Sequence, residues 1–326
     1  MDLLFLFCHR DINIVTSQMY KYRFSIFTAT YNRGNLLRQR YNEILALDYN
    51  DFEWVIVSDG STDNTAEEVK SFIKEHKITI KFIDKNNGGK HTAWQVATPL
   101  FEGRYVLGAD DDDPIMPDKL SVFDKYWREL ENSPEYDKFW EIRSRCSMSN
   151  GSLIGKELPL PYLDSDYNEM NYKYKNHCEM DGCRKVEVLR KEAAVPESFF
   201  LHENVSNFPE GIRWSRAARV YKTRFIPNVT RVWTDTSESL SASNNGNKRS
   251  LRKTYNTLVG AYYTLREQRD LMYKYDIKKY VRLIMVLVYN SFCIRKSNFH
   301  IMETSSDKIL YALFYIPLLF VWLIRK

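Results

Sequence analysis

Over the first half of the chain, apolar runs alternate between two periods. "FSIFTA", residues 24–29, is a short apolar run that stops at the polar stretch "TYNRGN", the pattern of a strand and its turn. Leu36, Leu37, Ile44, Leu45 and Leu47 then recur at helical spacing. "DFEWVIVSDGSTDNT", 51–65, predicts a second strand ending in a polar turn. Asp63 or Thr65 is placed to cap a helix through Phe72 and Ile73. "ITIKFID" predicts a third strand, "KNNGGK" a glycine-rich turn, "HTAWQVATPLF" a helix and "GRYVLGA" a fourth strand. Asp110, Asp111, Asp112 and Asp113 follow, and Pro117 opens a helix through Trp127.

Strand and helix thus alternate from about 24 to 130, which implies parallel strands with covering helices, an α/β fold. In open sheets of this kind ligands bind outside the carboxyl ends of the strands. Four polar turns fall at those ends: Thr30-Tyr31-Asn32-Arg33, Ser58-Asp59-Gly60-Ser61, Asn86 to Lys90, and Asp110 to Asp113. Their convergence on one edge carries more weight than any one of them.

From 139 the pattern changes. "FWEIRSRCSMSNGSLIG" reads as two strands joined at Ser149-Asn150-Gly151. Residues 155–185, polar and aromatic, read as a flexible or helical insert. A helix is expected from Glu210 to Tyr221, a strand at "VTRVWTDT", a polar loop over 237–250 and helices over 250–273. No internal repeat is present.

Composition narrows the class. The net charge of +5 is mild and gives no case for nucleic acid as a partner. The five cysteines are scattered, as in a reducing compartment, and His177, Cys178 and Cys183 lack a second ligand pair nearby for zinc. "MDLLFLFCHR" has an acid at position 2 and no cleavage site, so no secretory signal is expected. At the other end, "ILYALFYIPLLFVWLIRK" is apolar from Ile309 to Ile324, short for a full crossing and interrupted by Pro317. "YVRLIMVLVYNSFCIRK" is a second apolar stretch edged by Arg282, Arg295 and Lys296. Both read as helices lying in an anionic leaflet; a buried helix pair or an oligomer contact would give the same pattern.

Adjacent carboxylates repel and need a counter-charge. Hard divalent cations take carboxylate and phosphate oxygens, and Asp110 and Asp112, alternating after a strand, would point to one side and bridge a cation to a diphosphate. The same run would also serve as the acidic start of the helix near Pro117, with Asp113 organising the turn before Pro114.

The ordered array "FTATYNR … WVIVSDGSTDNT … NNGGKHTAWQVA … GRYVLGADDDDPIMPDKL" resembles the family 2 glycosyltransferases over roughly 22–235. That resemblance implies a GT-A fold, a Rossmann-like nucleotide-binding mixed sheet flanked by helices. It divides the chain into an extension (1–21), a transferase unit (22–240) and a helical, membrane-associating region (241–326). It implies a nucleobase contact at Asp59 and a metal, Mn2+ or Mg2+, at Asp110 and Asp112. Thr30, Tyr31, Arg33, Lys90, Asp110 and Asp111 would line the nucleotide side. Ser58 departs from the second aspartate common there. Downstream, Gly88-Gly89-Lys90-His91-Thr92-Ala93 and Pro209-Glu210-Gly211-Ile212-Arg213-Trp214-Ser215-Arg216-Ala217 are similar to a branch acting on bacterial surface polysaccharides.

An inverting transfer needs a carboxylate to take the acceptor's proton. Family members often carry it in a Glu-Asp pair before a helix; this chain has Glu210-Gly211, and Glu203 is the second candidate. Trp214, one helical turn after Glu210, is an acceptor-pocket wall or core packing. Arg213 and Arg216 are phosphate contacts or a salt-bridged face. The expectation is an inverting, metal-dependent transfer from a nucleotide-sugar, UDP being the family's common carrier. The acceptor would be a glycan or lipid-linked glycan, with the protein peripheral or monotopic at the inner face of the cell membrane. The competing class is a catalytically silent nucleotide-binding adaptor of a membrane assembly; the intact pair Asp110 and Asp112 speaks against it and the missing aspartate for it. A nucleotidyltransferase or a phosphatase would need a glycine-rich loop after the first strand, or Thr or Val beyond the acidic pair, and neither is present.

Overall fold

The computed structural model describes residues 20–158, 160–191, 209–233 and 251–324. Glu203 and the 237–250 stretch lie outside them. The first half runs β1 (Tyr22–Thr30), α1 (Gly34–Leu45), β2 (Phe52–Ser58), α2 (Thr65–Glu75), β3 (Thr79–Asp84), α3 (Lys90–Ala97), β4 (Gly103–Gly108) and α4 (Lys119–Glu131). The second continues with β5 (Phe139–Met148), β6 (Leu163–Ser165), α5 (Tyr167–Tyr172), β7 (Met180–Lys185), α6 (Val186–Lys191), α7 (Glu210–Ala217) and β8 (Lys222–Trp233). Three helices follow, α8 (Leu251–Tyr275), α9 (Ile277–Cys293) and α10 (Ser305–Ile324).

The described strands form one mixed sheet in the order β3-β2-β1-β4-β7-β5-β8-β6. β3, β2, β1 and β4 are parallel, so their carboxyl ends share one edge. β2 is buried at every residue because helices cover both faces, which is why "FEWVIVS" lacks a polar alternation. Phe24, Ile26, Trp54 and Leu107 pack on one face, and Phe27, Val55, Val57 and Trp94 on the other.

Two expectations need correction. Residues 155–185 are not an insert: they supply β6, α5 and β7, and β7 sits between β4 and β5 in mid-sheet. "MDGCRK" hid this because its buried charges are matched by charges from distant segments, Asp181 by Lys119 at 2.7 Å and Arg184 by Glu141 at 2.8 Å. The turn after β5 exists, with Gly151 at φ 83, but the return strand shrinks to a single bridge, Ser147 to Leu153.

The three C-terminal helices bury their own cluster, including Leu265, Met272, Ile284, Leu287 and Tyr311. α9 is therefore core of this unit rather than a surface helix. α10 differs: it continues as a helix through Pro317, and Ile309, Leu313, Ile316, Phe320 and Leu323 are exposed along it. Among the described residues it is the one helix long and apolar enough to cross a membrane; its 20 residues span about 30 Å. Its first turn is pinned by Asp307, fully buried, which accepts from Tyr280 Oη at 2.7 Å and Arg269 Nη2 at 2.8 Å. Asp307→Asn keeps an acceptor for Tyr280 and loses the ion pair. It should cost about 1–3 kcal/mol, read from urea unfolding of the full chain.

Candidate functional site

The four polar turns are stitched together by their own side chains. Asn32 adopts φ 52; its Oδ1 accepts from Thr62 N at 2.7 Å and its N donates to Ser61 Oγ at 3.0 Å. Asp63 accepts from Gly34 N at 3.0 Å, binding the second turn to the start of α1. Asp59 is buried, and its carboxylate accepts from Gly88 N at 2.9 Å, Gly89 N at 2.6 Å and Lys85 Nζ. Asp59 thus organises the glycine-rich turn, and its two oxygens are engaged within the protein. Gly60 (φ 78) and Gly89 (φ 91) hold left-handed backbone, and a Cβ on Gly60 would lie 2.8 Å from Asn87 N.

The acidic run meets cations of the protein itself. β4 ends at Gly108, so strand alternation does not reach the run, and Asp110 and Asp112 take different partners. Asp110 accepts from Lys90 Nζ at 2.8 and 3.0 Å, with Arg231 at 3.7 Å. Asp111 and Asp112 share Arg33 Nη1, at 2.6 and 3.0 Å. Asp113 meets Arg231 at 3.5 Å, and its carbonyl accepts from Arg40 Nη2 at 2.5 Å. Burial alone would raise the Asp110 carboxyl, but Lys90 and Arg231 outweigh it and hold it well below the usual carboxylate range. Burial raises Asp111 against the pull of Arg33.

Would this run accept a divalent cation? Asp110 opens on the main cleft, Asp112 is half-buried beside Arg33, and Asp111 Oδ2 next to it is buried with no hydrogen-bond partner. These are hard oxygen donors with capacity to spare. Among the described residues no three His, Cys, Asp or Glu side chains gather as a self-sufficient metal cage. Two carboxylates completed by phosphate and water oxygens is the composition Mg2+ commonly takes.

The cleft holds about 420 Å³ and is lined by Lys90, Asp110, Tyr167, Glu210, Trp214 and Arg231 among others. Lys90 Nζ stands between Asp110 and, at 3.9 Å, Glu210 Oε1. Burial works against its charge, but Asp110 and Glu210 raise Lys90 above its ordinary value, so it stays an ammonium. Glu210 is the first residue of α7. The glycine after it has a local cause: a Cβ at 211 would lie 2.6 Å from Tyr167 Oη, so Tyr167 fills the space a following aspartate would need. Trp214 is both core and wall. It packs edge-on against Trp94 at 6.2 Å and lies 5.8 Å from Trp140, yet lines the cleft. Thr30 is buried at the end of β1 and Tyr31 is exposed beyond it. Arg216 pairs with Glu267 at 2.5 Å and ties α7 to α8. His91 is buried, and burial and then Arg213 lower it to about 4, which keeps it neutral.

Arg231 and Tyr167, with Arg143 and Arg184 further along the wall, were not legible as site residues. The one signal for the three arginines is a charge inside a strand-like stretch, as in "EIRSR", "DGCRK" and "VTRVW". Cys183 is core, accepting from Trp127 Nε1 at 3.3 Å.

Residues 25–144 match the family model described as glycosyl transferase family 2. Over 231 residues the chain is 32% identical to the glycosyltransferase GlyA of Streptococcus pneumoniae, covering 65% of this chain and 32% of that one. Over 100 residues it is 31% identical to the poly(ribitol-phosphate) beta-N-acetylglucosaminyltransferase TarS of Staphylococcus aureus, covering 30% of this chain and 18% of the relative. The chain therefore spans about a third or less of the length of these two relatives. Residues 1–349 of S. aureus TarS, solved with UDP-GlcNAc, superpose with a TM-score of 0.55 at 17% identity, covering 89% of this chain and 78% of that one. The structural likeness establishes the GT-A fold.

Proposed function

This chain belongs to glycosyltransferase family 2, and we propose that it moves a sugar from a nucleotide-sugar donor, a UDP-sugar, to a glycan or lipid-linked acceptor in surface polysaccharide synthesis. The observation that carries this reading is Lys90, whose Nζ lies 2.8 Å from Asp110 and 3.9 Å from Glu210. One ammonium thus spans from the diphosphate side of the cleft to the acceptor side. Support for the donor class comes from S. aureus TarS, solved with UDP-GlcNAc. A mannosyltransferase of Pyrobaculum calidifontis, solved with GDP-Man and Mn2+ and superposing with a TM-score of 0.53 at 15% identity over 94% of this chain and 88% of that one, supports a divalent cation.

In this reading Asp110 and Asp112 would hold Mn2+ or Mg2+, which would supply neutralisation of charge on the departing diphosphate. Thr30, Tyr31 and Arg33 border the nucleotide. Asp59 positions the Gly88-Gly89 turn beneath it, and Asp111 anchors Arg33. Glu210 accepts the proton of the acceptor hydroxyl as that oxygen attacks the anomeric carbon, and the configuration inverts. Lys90 keeps the Glu210 and Asp110 carboxylates apart while offsetting both charges. Residues 22–240 form the transferase unit, and 241–326 the region that rests on the inner face of the membrane through the apolar side of α10.

Calorimetric titration of UDP, GDP and dTDP, with and without Mn2+, on the wild type and on Asp112→Ala tests this directly. One nucleotide should bind with metal dependence, and Asp112→Ala should abolish that dependence. No binding of any nucleotide under any metal sinks the transferase reading. Binding without turnover would favour the silent adaptor.

A further inference from the structure

The wall of the cleft built by β5 and β7 carries two cations to which the reading above gives no role. Arg143 on β5 and Arg184 on β7 share a sheet face, because these antiparallel strands set Glu141 opposite Arg184 and Arg143 opposite Gly182. Both guanidiniums meet one carboxylate: Glu141 Oε1 lies 3.0 Å from Arg143 Nε and 2.8 Å from Arg184 Nε. Glu141 is fully buried, whereas both arginines line the cleft.

Three other carboxylates of the cleft have cations in contact, and the fourth, Glu210, lies 3.9 Å from Lys90, which it shares with Asp110. Asp110 takes Lys90 at 2.8 Å, Glu179 takes Arg231 at 2.5 Å and Asp181 takes Lys119 at 2.7 Å. Among the described residues neither Arg143 nor Arg184 has a second carboxylate in ion-pair contact. The trio therefore carries one positive charge in excess at contact distance, offset at longer range by Glu179 toward Arg143 and by Glu210 toward Arg184. Burial, and then the charge of Arg143, pull the Arg184 guanidinium below its ordinary value against Glu141.

The pair is also built in place. The Arg143 guanidinium stacks on Tyr167 at 4.8 Å and that of Arg184 on Trp214 at 3.9 Å. Gly182 leaves the necessary room, since a Cβ there would lie 2.5 Å from Arg184 Nη2 and 2.7 Å from Glu141 Oε1. Tyr167 in turn abuts Gly211, the neighbour of Glu210. A second cleft of about 470 Å³ begins at Tyr167 and Gly211 and runs past Ile212, Ala261, Leu283 and Val286. Its lining is largely apolar, and it leads away from the charged wall between α7, α8 and α9.

We propose that Arg143 and Arg184 form an acceptor subsite for an acidic group, a phosphate or carboxylate, which sets the acceptor hydroxyl beside Glu210. Fixed guanidinium forks suit such oxyanions. This rests on the reading of the chain as a transferase and names what that reading leaves open, the charge of the acceptor. The adjoining apolar cleft favours an acidic group borne on a hydrocarbon chain.

The test uses the full chain and calorimetric binding of octyl phosphate below its micellar concentration, glycerol phosphate and octyl glucoside. Arg143→Gln leaves Glu141 paired with Arg184, so the buried wall becomes neutral without an orphaned charge. It should weaken octyl phosphate binding by about 10- to 100-fold, the loss of one charge-assisted contact. Arg143→Lys should recover part of it. Arg184→Gln reads the same effect should the first variant unfold. Binding of octyl phosphate well above glycerol phosphate assigns the acid to a lipid carrier, and equal binding assigns it to a charged glycan. Unchanged octyl phosphate affinity in both glutamine variants, or octyl glucoside binding the wild type as tightly, overturns the subsite. Nucleotide titration of the wild type stands apart from this: its failure removes the transferase reading, while its success with no anion effect removes the subsite alone.

Discussion

Glu210→Gln is expected to lower sugar transfer by about 10²- to 10⁴-fold, the contribution of a positioned general base, while nucleotide binding survives. The substitution keeps the shape of the side chain and an oxygen facing Lys90, and removes only the capacity to take a proton. Glu210 is suited to the role by its place: it opens α7, its Oε1 is buried without a hydrogen-bond partner, and it lies 3.9 Å from Lys90 across the cleft from Asp110. A rate loss confined to turnover, with the nucleotide affinity of the wild type, separates a base from a residue that merely shapes the donor pocket. Activity persisting in Glu210→Gln and vanishing in Glu203→Gln would move the base to Glu203. Gly211→Asp is not a route to a better enzyme in this chain, because Tyr167 Oη occupies the space that the new Cβ requires.

The parallel half of the fold was legible because its signals are local. Each apolar run ends in a polar turn within a few residues, and parallel order puts those turns on one edge. The meeting of the polar turns was legible for the same reason: Asp59, Lys90 and Asp110 lie beyond those ends. What the sequence hid is the antiparallel half. β7 carries Asp181 and Arg184, whose partners Lys119 and Glu141 lie 62 and 43 residues away in the chain, so "MDGCRK" presents no apolar face to recognise. The partners of the acidic run were hidden likewise, since Arg231 arrives from β8. Asp110 and Asp112 were expected to share a side on strand alternation, a rule that stops where β4 stops.

That hidden half makes the strongest stability prediction. Lys119→Met should destabilise the protein by about 3–5 kcal/mol, the usual cost of removing one partner of a buried ion pair. Lys119 is fully buried; its Nζ lies 2.7 Å from Asp181 Oδ2 and donates to Gly108 O at 3.1 Å. Without it, Asp181 keeps the hydrogen bond from Thr230 Oγ1 at 2.6 Å but faces burial with its nearest cation gone. Burial raises the Asp181 carboxyl, yet Lys119 and then Arg231 outweigh it and hold it below its ordinary value. The sign follows: a depressed carboxyl stabilises the fold above the ordinary carboxylate range, and that contribution fades as pH falls through it. Urea unfolding at neutral and acidic pH should therefore show the gap between wild type and Lys119→Met narrowing on the acid side. Lys119→Met with Asp181→Asn removes the stranded charge and should recover most of the loss, because a neutral pair of similar volume is often tolerated. A single-variant cost under about 1 kcal/mol would place the pair among exposed ones and contradict its burial. The consequence reaches the cleft, since Asp181 freed of Lys119 competes for Arg231, the cation that also meets Asp110 at 3.7 Å and Asp113 at 3.5 Å. The core of the mixed sheet and the acidic run therefore draw on one shared set of cations.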